Sequence, residues 1–500
     1  FDFVQIFNKF TFEFVLIFGK ITFDFVQFCI YTNIYLLYYL SMEEKIVFKR
    51  KIYNQILEWK NSPILNSALL IEGARRIGKS TIVEEFAKNE FKDNYILVDF
   101  RKESADVKAL FNDTKDLNDF FRKFFLSQNK VLKNGGLIIF DEVQFCPKAR
   151  EAIKDFVNDG RYFYIETGSL ISIKENVKDI MIPSEEKRIE MFPMDLEEFL
   201  IANGLNEKFI HQLKENFENK TPVLDILHNK VLDAFYKYLI IGGMPKAVDT
   251  YLKTNDYMEV SIIHKEIIKE YLVDFSKYEN NKSLKLKLIS IYNLIPAELN
   301  SHNKRYIFNH LDKNLKMDRY ENSFNWLIDA GVALPIYNVT EPRLPLLINS
   351  KSNLFKLFLS DIGMLTSLYG KTTQMAIMND DISLNCGAIY ENVVAQELNS
   401  HGFKTYYFNS HKQGELDFVV EYKDFVCPIE VKSGKDYTKH SALNNVLNNK
   451  DYGIKNAFVF SNFNVEVNGN ITYYPIYFIM FLEEQSFQLP KINKIDLSDF

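Results

Sequence analysis

The chain has 500 residues, 47% of them hydrophobic and 25% charged, which are ordinary values for a globular protein and exclude extended disorder or a polytopic membrane protein. Its 60 Lys and Arg residues against 66 Asp and Glu residues give a net charge of −6, so the chain does not coat nucleic acid through charge alone. Four cysteines without CxxC spacing and eight histidines without a metal-binding motif argue against a disulfide framework or a zinc cluster and favour a reducing cytoplasm.

Residues 1–41 form an aromatic-rich repeat that differs from the rest of the chain. The sequence FDFVQ occurs at 1–5 and again at 23–27, with a related FEFV midway, which makes a period of eleven residues. We interpret 1–41 as a repetitive extension that is not native, with the working protein beginning at Met42. A short amphipathic anchor is the alternative, because the uncharged segment at 25–40 is too short to span a membrane.

A short apolar run at 68–72 precedes the sequence GARRIGKS, and a helical pattern follows it. This order of strand, loop and helix with the GxxxxGK(S/T) spelling predicts a P-loop, whose backbone N–H groups wrap the phosphates of ATP. Lys79 is expected to reach the β- and γ-phosphates, and Ser80 to supply an oxygen to Mg²⁺. The predicted nucleotide-binding residues are Gly73, Ala74, Arg75, Arg76, Ile77, Gly78, Lys79, Ser80 and Thr81.

Two further apolar runs, at 95–99 and 137–140, are predicted to be strands, and the second ends in Asp141 and Glu142. A buried apolar strand that ends in two acids, about sixty residues after a P-loop lysine, is typical of a Walker B motif. Asp141 is expected to hold the Mg²⁺ shell, and Glu142 to polarise the attacking water. An exposed acidic strand end is the alternative interpretation.

Another strand is predicted at 162–166, and it is followed by Thr167, Gly168 and Ser169. We predict that Thr167 senses the γ-phosphate, with a simple turn and helix cap as the alternative. Because strands alternate with helices in this part of the chain, the sequence predicts a parallel sheet covered on both faces. Ligands of such sheets bind at the carboxyl ends of the strands, where all these motifs lie.

The middle of the chain has a helical pattern from about 204 to 277, which predicts a lid beside the nucleotide site. Between Ser276 and Tyr320, nine Lys or Arg residues stand against four acids, an excess of +5. This excess could contact a phosphate backbone through residues that include Lys304, Arg305 and Arg319. It could equally be a solvated face.

Two runs near the C-terminus, GELDFVVE at 414–421 and FVCPIEVK at 425–432, predict adjacent strands joined by a turn. Glu430 and Lys432 are two residues apart and share a face of the second strand, and Asp417 on the first strand can approach them. Asp417 and Glu430 would hold Mg²⁺, and Lys432 would orient or help deprotonate the attacking water. This is the spelling of the PD-(D/E)xK nuclease core, although acids and lysines are also common on ordinary hairpins.

These motifs resemble a group of prokaryotic AAA+ P-loop ATPases with a C-terminal nuclease-like domain of unknown function. The resemblance also includes MFPMDLEEF at 191–199 and YLIIGGMP at 238–245, and it extends over residues 42–482. It implies an α/β protein with an AAA+ core at 42–200, a helical lid at 201–277, a winged-helix-like region at 278–345 and a PD-(D/E)xK nuclease-like α/β domain at 350–485.

The resemblance implies roles for two more residues. Arg188 would reach the γ-phosphate, with a solvated basic residue as the alternative. Glu391, in a helical pattern, matches an acid that some nuclease-like members contribute to their metal site. Because AAA+ relatives often assemble, Arg150 and Arg161 are candidates for contacts to a neighbouring subunit, although no motif selects them.

Two functions are compatible with these predictions. The first is an ATP-driven enzyme that processes DNA, in which the nucleotide state licenses metal-dependent cleavage by the C-terminal domain. The second is an ATP-switched binding or regulatory protein whose nuclease-like domain is catalytically inactive, since a fold can be retained after its catalytic activity is lost. The expected partners are ATP, DNA and either a second copy of the chain or another protein, in the cytoplasm and without a membrane.

Overall fold

The computed structural model describes residues 46–62, 67–169, 184–277, 282–301, 306, 321–379 and 386–484. The predicted extension at 1–41 and the predicted DNA-contacting residues Lys304, Arg305 and Arg319 lie outside these ranges. From Phe48 onward the chain forms one compact unit. Within the described ranges, no helix has the length and apolar character needed to cross a membrane.

The first part of this unit alternates strands and helices, and its strands form one sheet. All five strands are parallel, in the order β2-β3-β4-β1-β5, which confirms the predicted parallel α/β fold. The elements are α1 (Ile52–Asn61), β1 (Ala68–Gly73), α2 (Lys79–Phe91), β2 (Tyr95–Asp99), α3 (Ala105–Leu110), α4 (Leu117–Ser127), β3 (Gly136–Asp141), α5 (Pro147–Glu151), α6 (Ile153–Asp159), β4 (Tyr162–Ser169) and β5 (Glu186–Met191).

The residues of this sheet alternate between two hydrophobic cores, because successive side chains of a strand point to opposite faces. In β1, Leu69 and Ile71 pack in one core together with Phe86 of α2. Leu70 packs in the other core together with Phe124 of α4. Helices therefore cover both faces, and the carboxyl ends of the strands remain as the place for a ligand.

A helical region follows the sheet and includes the segment 201–277, for which a helical lid is predicted. After the helix Asp225–Ile241, Gly243 approaches the backbone so closely that a Cβ there would lie 1.9 Å from the carbonyl oxygen of Met194. The Gly243 carbonyl accepts the Met194 N–H at 2.7 Å, so the glycine joins the helical region to the ATPase sheet. The helices are α7 (Leu196–Ala202), α8 (Glu207–Asn219), α9 (Asp225–Ile241), α10 (Pro245–Thr254), α11 (Tyr257–Lys277), α12 (Lys282–Leu299) and α13 (Glu321–Asp329).

The C-terminal part contains a second sheet of eight strands, in the order β12-β13-β11-β10-β9-β8-β6-β7. Its elements are β6 (Ala333–Val339), β7 (Ser350–Leu359), α14 (Ile362–Tyr369), α15 (Lys371–Met378), α16 (Gly387–Ser400), β8 (Tyr406–Ser410), β9 (Gly414–Tyr422), β10 (Phe425–Lys432), α17 (Ser441–Asn448), β11 (Ala457–Ser461), β12 (Glu466–Asn468) and β13 (Ile471–Pro475).

The predicted boundary between 278–345 and 350–485 differs from the fold, because it runs through this second sheet. Helices α12 and α13 are followed by the antiparallel hairpin β6–β7. The hairpin, however, extends to Leu359, and β6 also pairs in parallel with β8. Backbone hydrogen bonds therefore join the region predicted as winged-helix-like to the region predicted as nuclease-like.

The hairpin β9–β10 has the adjacent strands that the sequence predicts. Tyr422 pairs with Phe425, so only Lys423 and Asp424 form the loop. Both loop residues have positive φ angles, 50° and 66°, as a two-residue type I′ turn requires. This register places Asp417 of β9 and Glu430 of β10 at the same end of the hairpin.

Candidate functional site

The P-loop connects β1 to α2 at the carboxyl edge of the first sheet. Gly73 ends β1 against β5, where a Cβ would lie 2.2 Å from the carbonyl oxygen of Met191, so only glycine fits. Gly78 precedes the first residue of α2 with a φ of 96°, a left-handed conformation that favours glycine. The loop thus delivers the N-terminus of a 13-residue helix, with its unpaired N–H groups, to the edge where the motifs meet.

Lys79 is buried at this helix N-terminus. Its Nζ donates to the carbonyl oxygens of Gly73 at 3.0 Å and Ala74 at 2.7 Å. Burial lowers the pKa of Lys79 to about 8, against the opposing influence of Glu142 and Asp141. An anionic group beside the ammonium would therefore strongly favour its charged form.

Ser80, Asp141 and Thr167 are joined by hydrogen bonds, although they come from three separate motifs. Ser80 Oγ donates to Asp141 Oδ1 at 2.8 Å, and the Thr167 hydroxyl donates to the same oxygen. Thr167 Oγ1 also accepts the backbone N–H of Glu142 at 3.3 Å. The predicted sensor residue thus links β4 to Asp141, the last residue of β3, and to Glu142, which follows it.

Glu142 has a backbone conformation that is unusual for a side-chain-bearing residue, with a φ of 55°. Its carboxylate accepts a hydrogen bond from Gln144 Nε2 at 2.5 Å. Strained backbone of this kind is found at sites where a side chain must be aimed. Gln144 was missed by sequence reasoning, and only its position two residues after the acid pair could have indicated it.

Arg50 lies before α1 and was not predicted to take part in the site. Its buried guanidinium donates to the carbonyl oxygens of Ile77 at 3.0 Å and Phe192 at 2.7 Å, and to the carboxylate of Glu198 at 2.9 Å. It therefore ties the P-loop to the segment before α7. No motif surrounds Arg50 in the sequence, so this contact could not have been predicted.

Arg188, predicted to reach the γ-phosphate, lies in the edge strand of the first sheet. It lies in β5 in register with Leu70, three residues or about 10 Å before the end of β1 at Gly73. Its side chain, 43% exposed, pairs with Glu186 at 2.8 Å. The alternative, a solvated basic residue, describes this position better.

The two arginines considered for subunit contacts both form hydrogen bonds to side chains of the same chain. Arg150 is buried and forms two hydrogen bonds of 2.9 Å to Glu186. Arg161 donates to Asp159 at 2.6 Å and to Asn118 at 3.0 Å. Breaking the buried pair to reach a neighbouring subunit would be costly, so Arg150 is a poor candidate for that role.

The C-terminal motif residues come together as their spacing predicts. Lys432 Nζ lies 2.8 Å from Glu430 Oε2, and Asp417 accepts the backbone N–H of Val431 at 2.9 Å. Burial and the charge of Asp417 raise the pKa of Glu430 to about 8, although Lys432 opposes this shift. The charge of Glu391 on α16 acts on the pKa of Glu430 in the same direction.

Two residues that sequence reasoning missed complete this group. Lys356 of β7 is fully buried, with its Nζ 2.7 Å from Glu415 and 3.8 Å from Glu391. Burial disfavours its charge, but these two acids and Asp417 outweigh burial, and the pKa of Lys356 is raised. Glu415 shares the face of Asp417 in β9, a signal that was available, whereas nothing in the sequence pointed to Lys356. The term carboxylate cluster is used below for four acids and the two lysines that contact them, namely Glu391, Glu415, Asp417, Glu430, Lys356 and Lys432.

A third charged group joins α16 to the ATPase core. Asp195, Glu397 and His401 bring ligand atoms within 4.8 Å of one another, a spacing suitable for a metal ion. Lys51, however, has its Nζ 2.8 Å from Asp195 and supplies a positive charge there. Glu397 also accepts the backbone N–H of Leu196, at 3.0 Å, so the group fixes the start of α7. We assign it a structural role.

Comparison with known families agrees with this geometry. Residues 65–200 match the sequence profile of an AAA domain, so the chain contains an AAA-type P-loop ATPase domain. Residues 232–375 match a domain of unknown function (DUF8612), and residues 386–479 match another (DUF4143). The first of these runs from within α9 into α15, across the boundary at 345–350 that the sheet also crosses.

Individual relatives are distant. The chain is 24% identical over 387 residues to the uncharacterized protein MJ1544 of Methanocaldococcus jannaschii, covering 75% of this chain and 76% of that protein. Among solved structures, a closed-state reconstruction of Hsp104 with ATPγS and FITC casein has 14% identity and a TM-score of 0.26, covering 51% of this chain. An ADP complex of S. cerevisiae Hsp104 has the same identity and TM-score, covering 57%. The chain spans 48% and 39% of those two proteins, and such scores do not establish a common arrangement of domains.

Proposed function

We propose that this AAA-type ATPase hydrolyses Mg-ATP at the P-loop and uses the nucleotide cycle to control a C-terminal unit that binds a divalent cation and cleaves DNA. The observation that carries the proposal is the contact of Lys432 with Glu430 at 2.8 Å next to Asp417, which accepts the Val431 N–H at 2.9 Å on the neighbouring strand. We also propose that the protein acts in the cytoplasm and assembles with further copies of itself.

At the nucleotide site, the chain offers a donor set that fits Mg-ATP. Ser80 and Asp141 oxygens lie 2.8 Å apart and could enter one Mg²⁺ shell, and the ion would neutralise phosphate charge. Lys79 would place its ammonium against the phosphates. Glu142 would orient and polarise a water, and Thr167 would hold Asp141 and the backbone of Glu142 in register with the γ-phosphate.

At the carboxylate cluster, the donor chemistry fits a hard divalent cation, since Mg²⁺ prefers carboxylate oxygens. Glu430 Oε1 is buried without a hydrogen-bond partner in the described part of the chain, so it has an unused acceptor. Asp417 and Glu430 would hold the ion, with Glu391 nearby. Lys432 would orient or help deprotonate the water that attacks a phosphodiester.

Lys356 favours a second candidate, the ATP-switched binding protein with an inactive cluster. Its ammonium, fully buried between Glu415 and Glu391, already balances part of the negative charge. With Lys432, the cluster has two lysines for four carboxylates. A cluster balanced in this way could be a remnant that supports the fold, and the protein would then bind its partner without cutting it.

The test is cleavage of single-stranded and branched DNA by the full chain with Mg²⁺ or Mn²⁺, with and without ATP. Asp417→Ala and Lys432→Ala should remove cleavage and leave ATP hydrolysis unchanged, because the two sites are separate. Cleavage that persists in both variants would point to a contaminating nuclease. Absence of cleavage by the unmodified protein on every substrate would favour the second candidate and leave the ATPase untouched.

A further inference from the structure

Helix α11 holds the P-loop through two neighbouring arginines. Arg75 Nη1 lies 2.5 Å from Asp274, and Arg76 Nε lies 2.7 Å from Glu270. Glu270 and Asp274 are four residues apart and so share one face of α11. Between them, the Tyr271 hydroxyl donates to the carbonyl oxygen of Arg75 at 3.0 Å. The helix therefore contacts both side chains and the backbone of the loop.

The two arginines differ in what surrounds them. Arg76 is half exposed, with 51% of its side chain accessible, and forms a forked pair with Glu270 at the surface. The charge of Arg75, in contrast, acts on Lys79 and is itself acted on by Glu142. Arg75 lies within the P-loop itself, between the end of β1 at Gly73 and the start of α2 at Lys79, whereas Arg188 pairs with Glu186 on β5.

We propose that Arg75 is the arginine that contacts the γ-phosphate from within the same chain, and that the phosphate competes with Asp274 for its guanidinium. ATP binding then releases α11 at this contact, and ADP does not. The inference rests on the proposed nucleotide site and names the element that responds to it.

The exchange is physically reasonable because a guanidinium pairs more strongly with a γ-phosphate, which offers several acceptor oxygens and more charge, than with one carboxylate. Asp274 lies on the C-terminal part of α11, and the Arg76–Glu270 pair and the Tyr271 hydroxyl lie within one turn of it. These contacts do not need to break when Arg75 moves. The expected response is a shift of α11, not its detachment.

The first test compares affinities for AMP-PNP, which has a γ-phosphate, and ADP, which lacks one, by calorimetry on the full chain. Arg75→Gln should weaken AMP-PNP binding at least about tenfold and change ADP binding less than about twofold, as expected for one lost charge-assisted contact. Arg76→Gln is the matched control in the same loop and should change both affinities by the same factor.

The reciprocal variant does not touch the loop. Asp274→Asn removes the competitor and should raise the affinity for AMP-PNP relative to ADP by about threefold or more. Glu270→Gln, one turn away on the same face, should leave that ratio unchanged. Equal effects of Arg75→Gln on both nucleotides, or an unchanged ratio in Asp274→Asn, would overturn the proposal while leaving ATP binding intact. If the unmodified chain bound neither nucleotide, the proposed nucleotide site itself would fall.

Hydrogen exchange of α11 provides the readout of coupling. Amides near Asp274 should exchange faster with AMP-PNP than with ADP in the unmodified protein, and this difference should vanish in Arg75→Gln. A difference that persists in the variant would show that α11 responds through another contact.

Discussion

The nucleotide site and the carboxylate cluster are assembled in opposite ways. The nucleotide site comes from three short motifs, each at the end of a parallel strand, so their meeting point is set once the strands are adjacent. The carboxylate cluster gathers residues from α16, β7, β9 and β10, including Lys356, which lies in no motif. The nucleotide site thus uses short motifs that each lie at the carboxyl end of a strand, along one edge of the first sheet. The carboxylate cluster depends instead on how a helix and three strands pack together.

The two regions also differ in how their charges are balanced. Burial lowers the pKa of Lys79 to about 8, so this cation gains from a phosphate that arrives with ATP. Lys356 is equally enclosed, but neighbouring carboxylates raise its pKa. At the nucleotide site, the charge of Lys79 is therefore balanced only when an anion binds. At the carboxylate cluster, the charge of Lys356 is already balanced by residues of the protein.

The largest effect is expected at the nucleotide site. Glu142→Gln should lower ATP turnover by about 10²- to 10⁴-fold and retain ATP binding, because a group that activates water is lost while the phosphate contacts remain. Lys79→Ala should instead abolish tight binding. Steady-state turnover and calorimetry check both, with Glu84→Gln on α2 as the control. Normal turnover in either variant would refute the assignment of the P-loop site.

At the carboxylate cluster, Lys356→Met should lower the free energy of unfolding by roughly 3 to 5 kcal/mol, because it leaves buried carboxylates without their partner. Mg²⁺ or Mn²⁺ should restore more stability in this variant than in the unmodified protein, if the cluster accepts a divalent cation. Denaturation with and without the ion measures this. Lys351→Met, at an exposed position of the same strand, is the control. If both variants lost the same free energy of unfolding, the assignment of Lys356 to the cluster would be wrong.

An effect of intermediate size is expected at His264 of α11, whose burial should make the stability of the protein sensitive to acid. Burial lowers its pKa to about 4, although its ring nitrogen lies 2.9 Å from the carbonyl oxygen of Ile241. The unfolded chain, with a histidine pKa near 6.5, binds the proton more readily, so stability is present above that pH and is lost as the pH falls towards 4.

This loss should be on the order of 3 kcal/mol, in addition to the titration of other groups. His264→Gln keeps a donor for Ile241 and has no charge to gain, so its unfolding free energy should depend less on pH. Urea denaturation at pH 7 and pH 4.5 tests this, with the exposed His211→Gln as the control. An identical pH dependence in the two variants would contradict the prediction.

The smallest effect is expected for Arg188. Since its side chain is partly exposed and pairs with Glu186, Arg188→Gln should change ATP turnover by less than about twofold, as is usual for a surface ion pair. A tenfold or larger loss of ATP turnover would indicate that Arg188 contacts the γ-phosphate, and it would contradict the assignment of that role to Arg75.

By itself, the sequence determined the parts whose information is local. Glycines at 73 and 78, the acids after β3 and the period-two spacing of Glu430 and Lys432 each specify a backbone geometry or a shared face, so the first sheet, the P-loop and the β9–β10 hairpin could be predicted. Thr167 could be placed at a strand end for the same reason.

Only the tertiary structure decided which distant residues meet. Arg50 beneath the P-loop, Lys356 inside the carboxylate cluster and the pairing of Arg75 with Asp274 join positions that are far apart in the chain. The position of Arg188 likewise depends on strand register, which no local motif encodes and which sets Arg188 beside Leu70, three residues before the end of β1. Ion pairs are set by packing over long sequence separations, and a single sequence does not specify that packing.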